Sequence, residues 1–149
     1  MAGEFLVNDY VEKALANQRN GYNCAQAVVC AYADAANISE ADAYRMAEGF
    51  GSGLAGCQLT CGALLGMAMV ISLLNSSGKL GDKQTRGQTY KLIQQGLKMF
   101  ETMNQSTQCA QLKGMESQPM LRSCPGCVED SVRIIEELKN SCVCSGNMR

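Results

Sequence analysis

The chain has 149 residues and a net charge of −1, with nine cysteines, two prolines, no tryptophan and no histidine. An apolar share of 46% excludes an intrinsically disordered chain, and the length is sufficient to bury a core without disulfides. Thirteen basic against fourteen acidic residues leave no excess positive charge, so nucleic acid is not an expected partner. The absence of histidine excludes Ser-His and Cys-His catalytic pairs and any metal site that needs imidazole.

The start of the chain and its hydropathy favour the cytoplasm. The first nine residues have no basic region, no long apolar run and an early Glu4, so we do not expect a secretory signal. The longest apolar stretch, 59–74, falls short of the roughly 20 residues of a membrane-spanning helix, so no membrane association is expected. In the cytoplasm the thiols are mostly reduced. An odd number of cysteines also cannot be fully paired within one chain.

Apolar residues recur at helical spacing through the first 48 residues, without a proline break. The predicted helices span 4–19, 23–36 and 39–48. Gly21 follows the first helix, where it supplies a left-handed cap. Asn23 is predicted to cap the second helix, and Ser39 with Asp42 has the spacing of a capping box at the third.

A glycine-rich loop over 49–56 leads into an apolar helix predicted over 60–74. This helix is hydrophobic almost all round, which predicts a position at the centre of the bundle. A polar linker follows over 75–82, and a long helix is predicted over 83–103. An irregular segment over 105–122 contains a short turn at 109–113. The last helix is predicted over 125–139 and begins at Pro125. The long helix is predicted to turn Tyr90, Ile93, Leu97 and Phe100 inward.

No segment alternates like a strand. We therefore predict an all-α, single-domain bundle of five to six helices over 1–140, with the 60–74 helix at its centre. Residues 141–149 are predicted to form a flexible tail that contains Cys142 and Cys144. This pair either binds a metal locally or has no function, and the sequence does not distinguish the two interpretations.

Three cysteines from distant parts of the sequence fall at predicted helix N-termini. Cys24 follows the cap Asn23, Cys61 lies in the first turn of the apolar helix, and Cys124 occupies the cap position before Pro125. Unpaired N–H groups and the positive end of the helix dipole favour a thiolate there, lowering a thiol pKa by roughly one unit. These positions predict reactive or ligating thiols.

Further cysteines extend this pattern. Cys124 and Cys127 form a C-x-x-C at a helix start, which makes Cys127 a candidate resolving thiol, although the βαβ context of the redox motif is missing. Cys57 and Cys61 are four residues apart and share a face if the helix begins early. Cys30 is interpreted as core packing, since cysteine behaves as a small hydrophobe.

The ordered motifs resemble the C_GCAxxG_C_C family, whose members are proposed to be redox-active. They are Asn23-Cys24-Ala-Gln-Ala, Phe50-Gly-Ser-Gly, Cys61-Gly-Ala-Leu-Leu-Gly66, a lone Cys109, and Cys124-Pro-x-x-Val128, and together they cover about residues 8–138. The resemblance implies a redox or metal-binding set of Cys24, Cys61, Cys109 and Cys124. Gly62 is expected to lie beside the bound cofactor, with Cys57 as a candidate fifth ligand.

Such families resemble the cysteine-bearing part of split-Soret cytochromes, which implies an iron–sulfur cluster. The chain has no C-x-x-C-H, which excludes covalent haem. Cys57 and Cys127 exceed the family's four-cysteine set, so the choice of ligands stays open.

Three functions follow as alternatives. The leading one is electron transfer through an iron–sulfur cluster to an unidentified redox partner protein. The second is metal-free thiol–disulfide exchange, in which Cys124 attacks and Cys127 or Cys24 resolves. The third is a helical module with a structural four-cysteine zinc site. Enzymatic turnover is left open, and so is a homodimer.

All three functions make the same geometric demand. At least three of the sulfurs of Cys24, Cys61, Cys109 and Cys124 should meet in one pocket at one end of the bundle, near the 49–56 loop. Cys30 should lie outside that pocket.

Overall fold

The computed structural model describes the backbone of residues 2–143 and the side chains of residues 6–141. Within that part of the chain the fold is all-α and single-domain, without a strand. Its helices are α1 (Ala2–Arg19), α2 (Cys24–Ala31), α3 (Glu40–Ala47), α4 (Gly62–Asn75), α5 (Arg86–Asn104), α6 (Cys109–Lys113) and α7 (Cys124–Val143). Seven described helices exceed the predicted five to six because the expected turn at 109–113 is a short helix. None of the described helices is long and apolar enough to cross a membrane.

The apolar helix α4 lies at the centre, packed against α2, α5 and α7. Its side chains Leu64, Met67, Val70 and Ile71 are fully buried. Helix α2 is as deeply buried, since every residue after its first is inaccessible. The two helices approach closely at Gly66, where an added Cβ would lie 2.9 Å from the carbonyl oxygen of Ala25. The central position is therefore shared by α2 and α4.

Helix caps follow the sequence closely at the N-terminal end. Gly21 follows α1 with φ +95°, as its cap position requires. The Asn23 side chain accepts a hydrogen bond from the Gln26 N–H, and the Gln26 side chain accepts one from the Asn23 N–H. The two bonds complete a capping box. At α3 the Ser39 hydroxyl accepts from the Asp42 N–H at 3.0 Å.

The predicted end of α2 and the predicted start of α5 are wrong, and so is the predicted inward direction of Tyr90, whereas Phe100 is buried as predicted. Regular α2 ends at Ala31 and gives way to turns, and α5 begins at Arg86 rather than 83. On α5, Tyr90 is 59% exposed because the inner stripe runs through Leu92, Gly96 and Phe100. The small Gly96 accepts the side chain of Met67 from α4, which turns the apolar face of α5 away from Tyr90.

The C-terminal helix extends beyond its predicted end. Helix α7 continues to Val143, so residues 141–143 belong to the helix and not to a tail. Residues 144–149 lie outside the described residues, as does the Cys142 side chain. The predicted Cys142–Cys144 clip therefore stays a prediction.

Candidate functional site

One cavity is lined by four cysteines that stand at helix starts. Cys24, Cys109 and Cys124 are the first residues of α2, α6 and α7, and Cys61 immediately precedes α4. The cavity has a volume of ≈ 130 Å³, and Cys127 also lines it. The structure thus brings the four sequence-predicted cysteines to one pocket, where Ser52 of the glycine-rich loop is a further lining residue. That they form the functional set stays a prediction.

The Asn23-Cys24-Ala-Gln motif holds the loop against the start of α2. The Asn23 side-chain amide donates to the Glu48 carbonyl at 2.9 Å, and its side chain leaves no room for a Cβ at Gly51. Cys24 is half-buried here, and burial raises the pKa of its thiol while the N–H of Ser52 opposes that rise. The cap therefore positions both a cysteine and the loop that faces it.

Glycines permit the close approach of backbone to the sulfurs. A Cβ at Gly62 would collide with Cys24 Sγ and would lie 2.8 Å from the Phe50 carbonyl oxygen. Gly53 has φ +58°, and a Cβ there would lie 2.5 Å from Cys109 Cβ. Gly62 therefore packs against a cysteine sulfur, and its predicted place beside a bound cofactor stays a prediction.

Cys61 and Cys127 form a directly interacting thiol pair. Interaction with the Cys127 side chain, together with the backbone N–H groups of Ala63 and Leu64, lowers the pKa of Cys61 to about 7 against the opposing effect of burial. The same interaction, followed by burial, raises the pKa of Cys127. One sulfur of the pair is thus stabilised as a thiolate and the other keeps its proton.

A second thiol pair lies beside the first. Burial, followed by interaction with the Cys57 side chain, raises the pKa of Cys109 to about 12. Cys57 is not among the cavity-lining residues, but its Sγ lies 3.7 Å from Lys113 Nζ, which does line the cavity. Burial alone would lower the pKa of Lys113, yet the nearby side chains of Cys124, Cys109 and Cys57 raise it overall.

The cavity wall is positively charged. Lys113 and Arg122 line it, and its described lining includes no carboxylate. The Arg122 guanidinium makes two bonds to the Asp130 carboxylate, at 2.9 and 3.0 Å, and Asn104 donates to the same carboxylate at 3.1 Å. A Cβ at Gly126 would lie 2.5 Å from Arg122 Nε, so this glycine leaves room for the guanidinium. Lys113 favours an anionic sulfur at Cys61, although burial raises the thiol pKa of Cys24 and Cys109.

Two cysteines sit one position from their predicted place on a helix. Cys61 is the cap of α4 rather than a first-turn residue, since α4 begins at Gly62. Cys124 is the first residue of α7, because the Ser123 hydroxyl takes the capping position and accepts from the Gly126 N–H at 3.1 Å. Cys30 lies outside the cavity, as expected, and its thiol donates to the Glu40 carbonyl at 3.8 Å.

Sequence reasoning missed Lys113 and Arg122. Lys113 lies four residues after Cys109 on α6, and this spacing on a short helix is a signal that could have found it. Arg122 lies in the irregular segment before α7, and no local pattern in the sequence links it to Asp130.

Thiolates are suitable ligands for zinc and for iron–sulfur clusters. However, among the side chains described over residues 6–141, no group of three or more Cys, Asp or Glu residues is positioned to hold a metal ion. The cysteine sulfurs have the right chemistry to bind zinc or an iron–sulfur cluster, but their described positions do not form a metal site.

The fold is all-helical, and cysteines at helix starts meet in one cavity beside Lys113 and Arg122. These features define a helical protein whose candidate site is built from cysteines. The chain belongs to the family described as "Putative redox-active protein (C_GCAxxG_C_C)", whose model matches residues 22–138. The matched range contains the four predicted cysteines together with Cys57 and Cys127. No curated protein and no solved structure matches the chain.

Proposed function

We propose that this protein transfers two electrons by thiol–disulfide exchange, with Cys61 and Cys127 as the redox couple. The observation that carries the proposal is that these two thiols line the same cavity and shift each other's pKa in opposite directions. A thiolate is the attacking species in disulfide exchange, and a neighbouring thiol is needed to release the mixed disulfide. Cys61 has the first property and Cys127 has the position for the second.

The exchange proceeds in two steps. The Cys61 thiolate attacks one sulfur of a partner's disulfide, forming a mixed disulfide and releasing the partner's other sulfur as a thiolate. Cys127 then gives its proton to a departing thiolate and attacks Cys61 Sγ, which releases the partner's remaining sulfur. The partner gains two electrons and is reduced to a dithiol, and the Cys61–Cys127 couple is oxidised to a disulfide. The reverse sequence oxidises the partner.

The surroundings support the role of Cys61 as attacking group. Two backbone N–H groups at the start of α4 face its sulfur, and Lys113 adds a positive charge across the cavity. Both effects stabilise the thiolate without a general base, which suits a chain with no histidine. We propose a protein disulfide in the cytoplasm as the partner.

Thiol counting with simultaneous absorbance measurement tests the proposal. Mild oxidation of the reduced protein should remove two thiols and produce no visible absorbance. Peptide mapping of the oxidised wild type should locate the lost thiols at Cys61 and Cys127. Cys30→Ser is the matched control and should form the same bridge, because Cys30 lies outside the cavity. A wild-type bridge that leaves Cys61 or Cys127 free would contradict the proposed couple.

An iron–sulfur cluster for electron transfer is our second candidate. It is favoured by five cysteines lining one cavity with two cationic residues, since thiolate-bound clusters carry negative charge. The side chains would have to rearrange, because their described arrangement does not form a metal site. Iron and sulfide analysis after anaerobic purification and reconstitution tests it. Stoichiometric iron and sulfide with visible absorbance would favour the cluster, and a colourless, iron-free protein would reject it.

The structural zinc site stays a prediction, and zinc retention distinguishes it from the other two functions. Its donors would come from Cys24, Cys61, Cys109 and Cys124, and a closed site of this kind stabilises the fold without redox chemistry. Stoichiometric zinc that survives chelator treatment, with no change in thiol count on mild oxidation, would favour it over the other two functions.

A further inference from the structure

In the second thiol pair, Cys57 is more accessible than either cysteine of the proposed redox couple. Cys61 and Cys127 are 6% and 3% exposed, and Cys109 is 5% exposed. Cys57 is only half-buried. Disulfide exchange requires an incoming sulfur to reach the attacking sulfur directly, so access limits its rate. Among these four cysteines, Cys57 is the one that a bulky partner disulfide can reach.

The backbone around Cys57 is strained and is held against Cys109. Ser52, Leu54, Ala55 and Cys57 all have left-handed φ values, of 52°, 62°, 68° and 60°. Side chains other than glycine rarely adopt this conformation, and such residues cluster at functional sites. Gly53 in the same segment lies against Cys109, which brings the loop and its half-buried thiol onto the start of α6.

Lys113 places a positive charge beside Cys57. Its Nζ lies 3.7 Å from Cys57 Sγ, and it is itself one helical turn beyond Cys109. A thiolate that forms at Cys57 during exchange is therefore next to an ammonium group. The lysine also contributes to the electrostatic environment of Cys61, so one cation serves both thiol pairs.

Backbone hydrogen bonds hold the two thiol pairs side by side. The Cys61 N–H donates to the Thr107 carbonyl at 2.8 Å, and the Cys109 N–H donates to the Leu59 carbonyl at 2.9 Å. These bonds tie the segment before α4 to the segment before α6 in a short antiparallel bridge. Cys61 and Cys109 are close enough for the charge on one to affect the other.

We propose that Cys57 and Cys109 form an outer dithiol that relays oxidising equivalents from a partner disulfide to the buried Cys61–Cys127 couple. This inference rests on the proposed function. In the relay Cys57 takes the place of Cys61 as the group that meets the partner, and its thiolate attacks the partner disulfide and releases one partner thiolate. Cys109 then attacks Cys57 Sγ, passing its proton to the second partner thiolate as it leaves, and the outer pair becomes a disulfide.

The transfer inward uses the same chemistry. The Cys61 thiolate attacks Cys109 Sγ and releases Cys57 as a thiolate. Cys127 gives up its proton and attacks Cys61 Sγ, which releases Cys109, and the proton returns to the outer pair. The net change is one Cys61–Cys127 disulfide formed and one partner disulfide reduced to two thiols.

Quenched-flow oxidation of the reduced, full-length protein by oxidised glutathione tests the relay. Disulfides are trapped by acid and mapped on peptides. In Cys57→Ser the Cys61–Cys127 disulfide should form at least about tenfold more slowly than in the wild type while reaching the same end point. Cys30→Ser is the control and should keep the wild-type rate. Cys57→Ala repeats the test without a hydroxyl, in case serine perturbs the loop.

A further variant traps the outer pair. In Cys127→Ala the inner couple cannot close, so a Cys57–Cys109 disulfide should accumulate. Formation of the Cys61–Cys127 disulfide at the wild-type rate in both Cys57 variants would overturn the relay and leave the proposed function intact. Failure of the wild-type protein to form that disulfide at any oxidant concentration would instead overturn the proposed function, whatever the outer pair does.

Discussion

Gly62 packs directly against the sulfur of Cys24, although the two residues are 38 positions apart in the sequence. The glycine follows Cys61, so the absence of its side chain allows two cysteines from different helices to approach the same cavity. Gly66, one turn later, lets α4 approach the backbone of α2. The C-G-A-x-x-G motif is therefore a packing requirement of the cysteine cavity.

Replacing Gly62 with alanine should destabilise the fold. The added Cβ would collide with Cys24 Sγ and would lie 2.8 Å from the Phe50 carbonyl and 3.0 Å from Gly51 Cα. Overpacking of this kind reduces the free energy of unfolding by about 1–3 kcal/mol. Urea unfolding monitored by circular dichroism measures the loss.

Gly87→Ala is the matched control for that substitution. Gly87 is also in a helix, α5, and an added Cβ there meets no atom within 4 Å. It should be neutral or should raise the free energy of unfolding by up to about 1 kcal/mol through helix propensity. Equal effects of the two alanine substitutions would contradict the packing role of Gly62.

The Asn23 cap should matter for both stability and the position of Cys24. Asn23→Ala removes the cap of α2 and the 2.9 Å bond to the Glu48 carbonyl, so the free energy of unfolding should fall by about 1–2 kcal/mol. Asn23→Asp keeps an acceptor for the cap but loses the donor to the Glu48 carbonyl. Its free energy of unfolding should lie between those of the wild type and Asn23→Ala. Urea midpoints that rank in any other order would count against this assignment.

Cys61 should alkylate at lower pH than the other buried thiols. Its pKa of about 7 lies below the ordinary thiol value of 9.0, and only the thiolate reacts, so its iodoacetamide rate should be half-maximal near pH 7. Cys109, with a pKa of about 12, should remain protonated and slow from about pH 6 to 9. Peptide mass mapping of timed samples resolves the two sites in one experiment.

The Cys127→Ala variant checks the cause of that low pKa. Removing the thiol whose interaction lowers the pKa of Cys61 destabilises the thiolate, so the alkylation midpoint of Cys61 should move to higher pH. A midpoint that stays near pH 7 in this variant would show that the thiol pair does not set the pKa of Cys61.

Much of the fold could be predicted because it depends on local signals. The α2 cap at Asn23, the α3 cap at Ser39 and the apolar run of α4 are all evident within a few neighbouring residues. The exposure of Tyr90 on α5 could not be predicted in this way, since the inner face of α5 depends on Gly96 receiving Met67 from another helix. Hydrophobic periodicity identifies the face of a helix from its apolar side chains. It therefore does not detect a glycine, such as Gly96, that faces the core.

The candidate site divides in the same way. The positions of Cys24, Cys61 and Cys124 near helix starts could be predicted from caps and prolines. The pairing of Cys61 with Cys127 could not, because it depends on how α4 and α7 pack. Lys113 and the left-handed loop that carries Cys57 likewise depend on tertiary contacts.

Disulfide mapping after limited oxidation tests the central claim most directly. The reduced protein would be treated anaerobically with one equivalent of a small disulfide, brought to equilibrium, alkylated and digested for peptide mass analysis. The account predicts that the dominant bridge joins Cys61 to Cys127 and that Cys30 remains free. A dominant bridge between Cys124 and Cys127, or no bridge at Cys61, would contradict it.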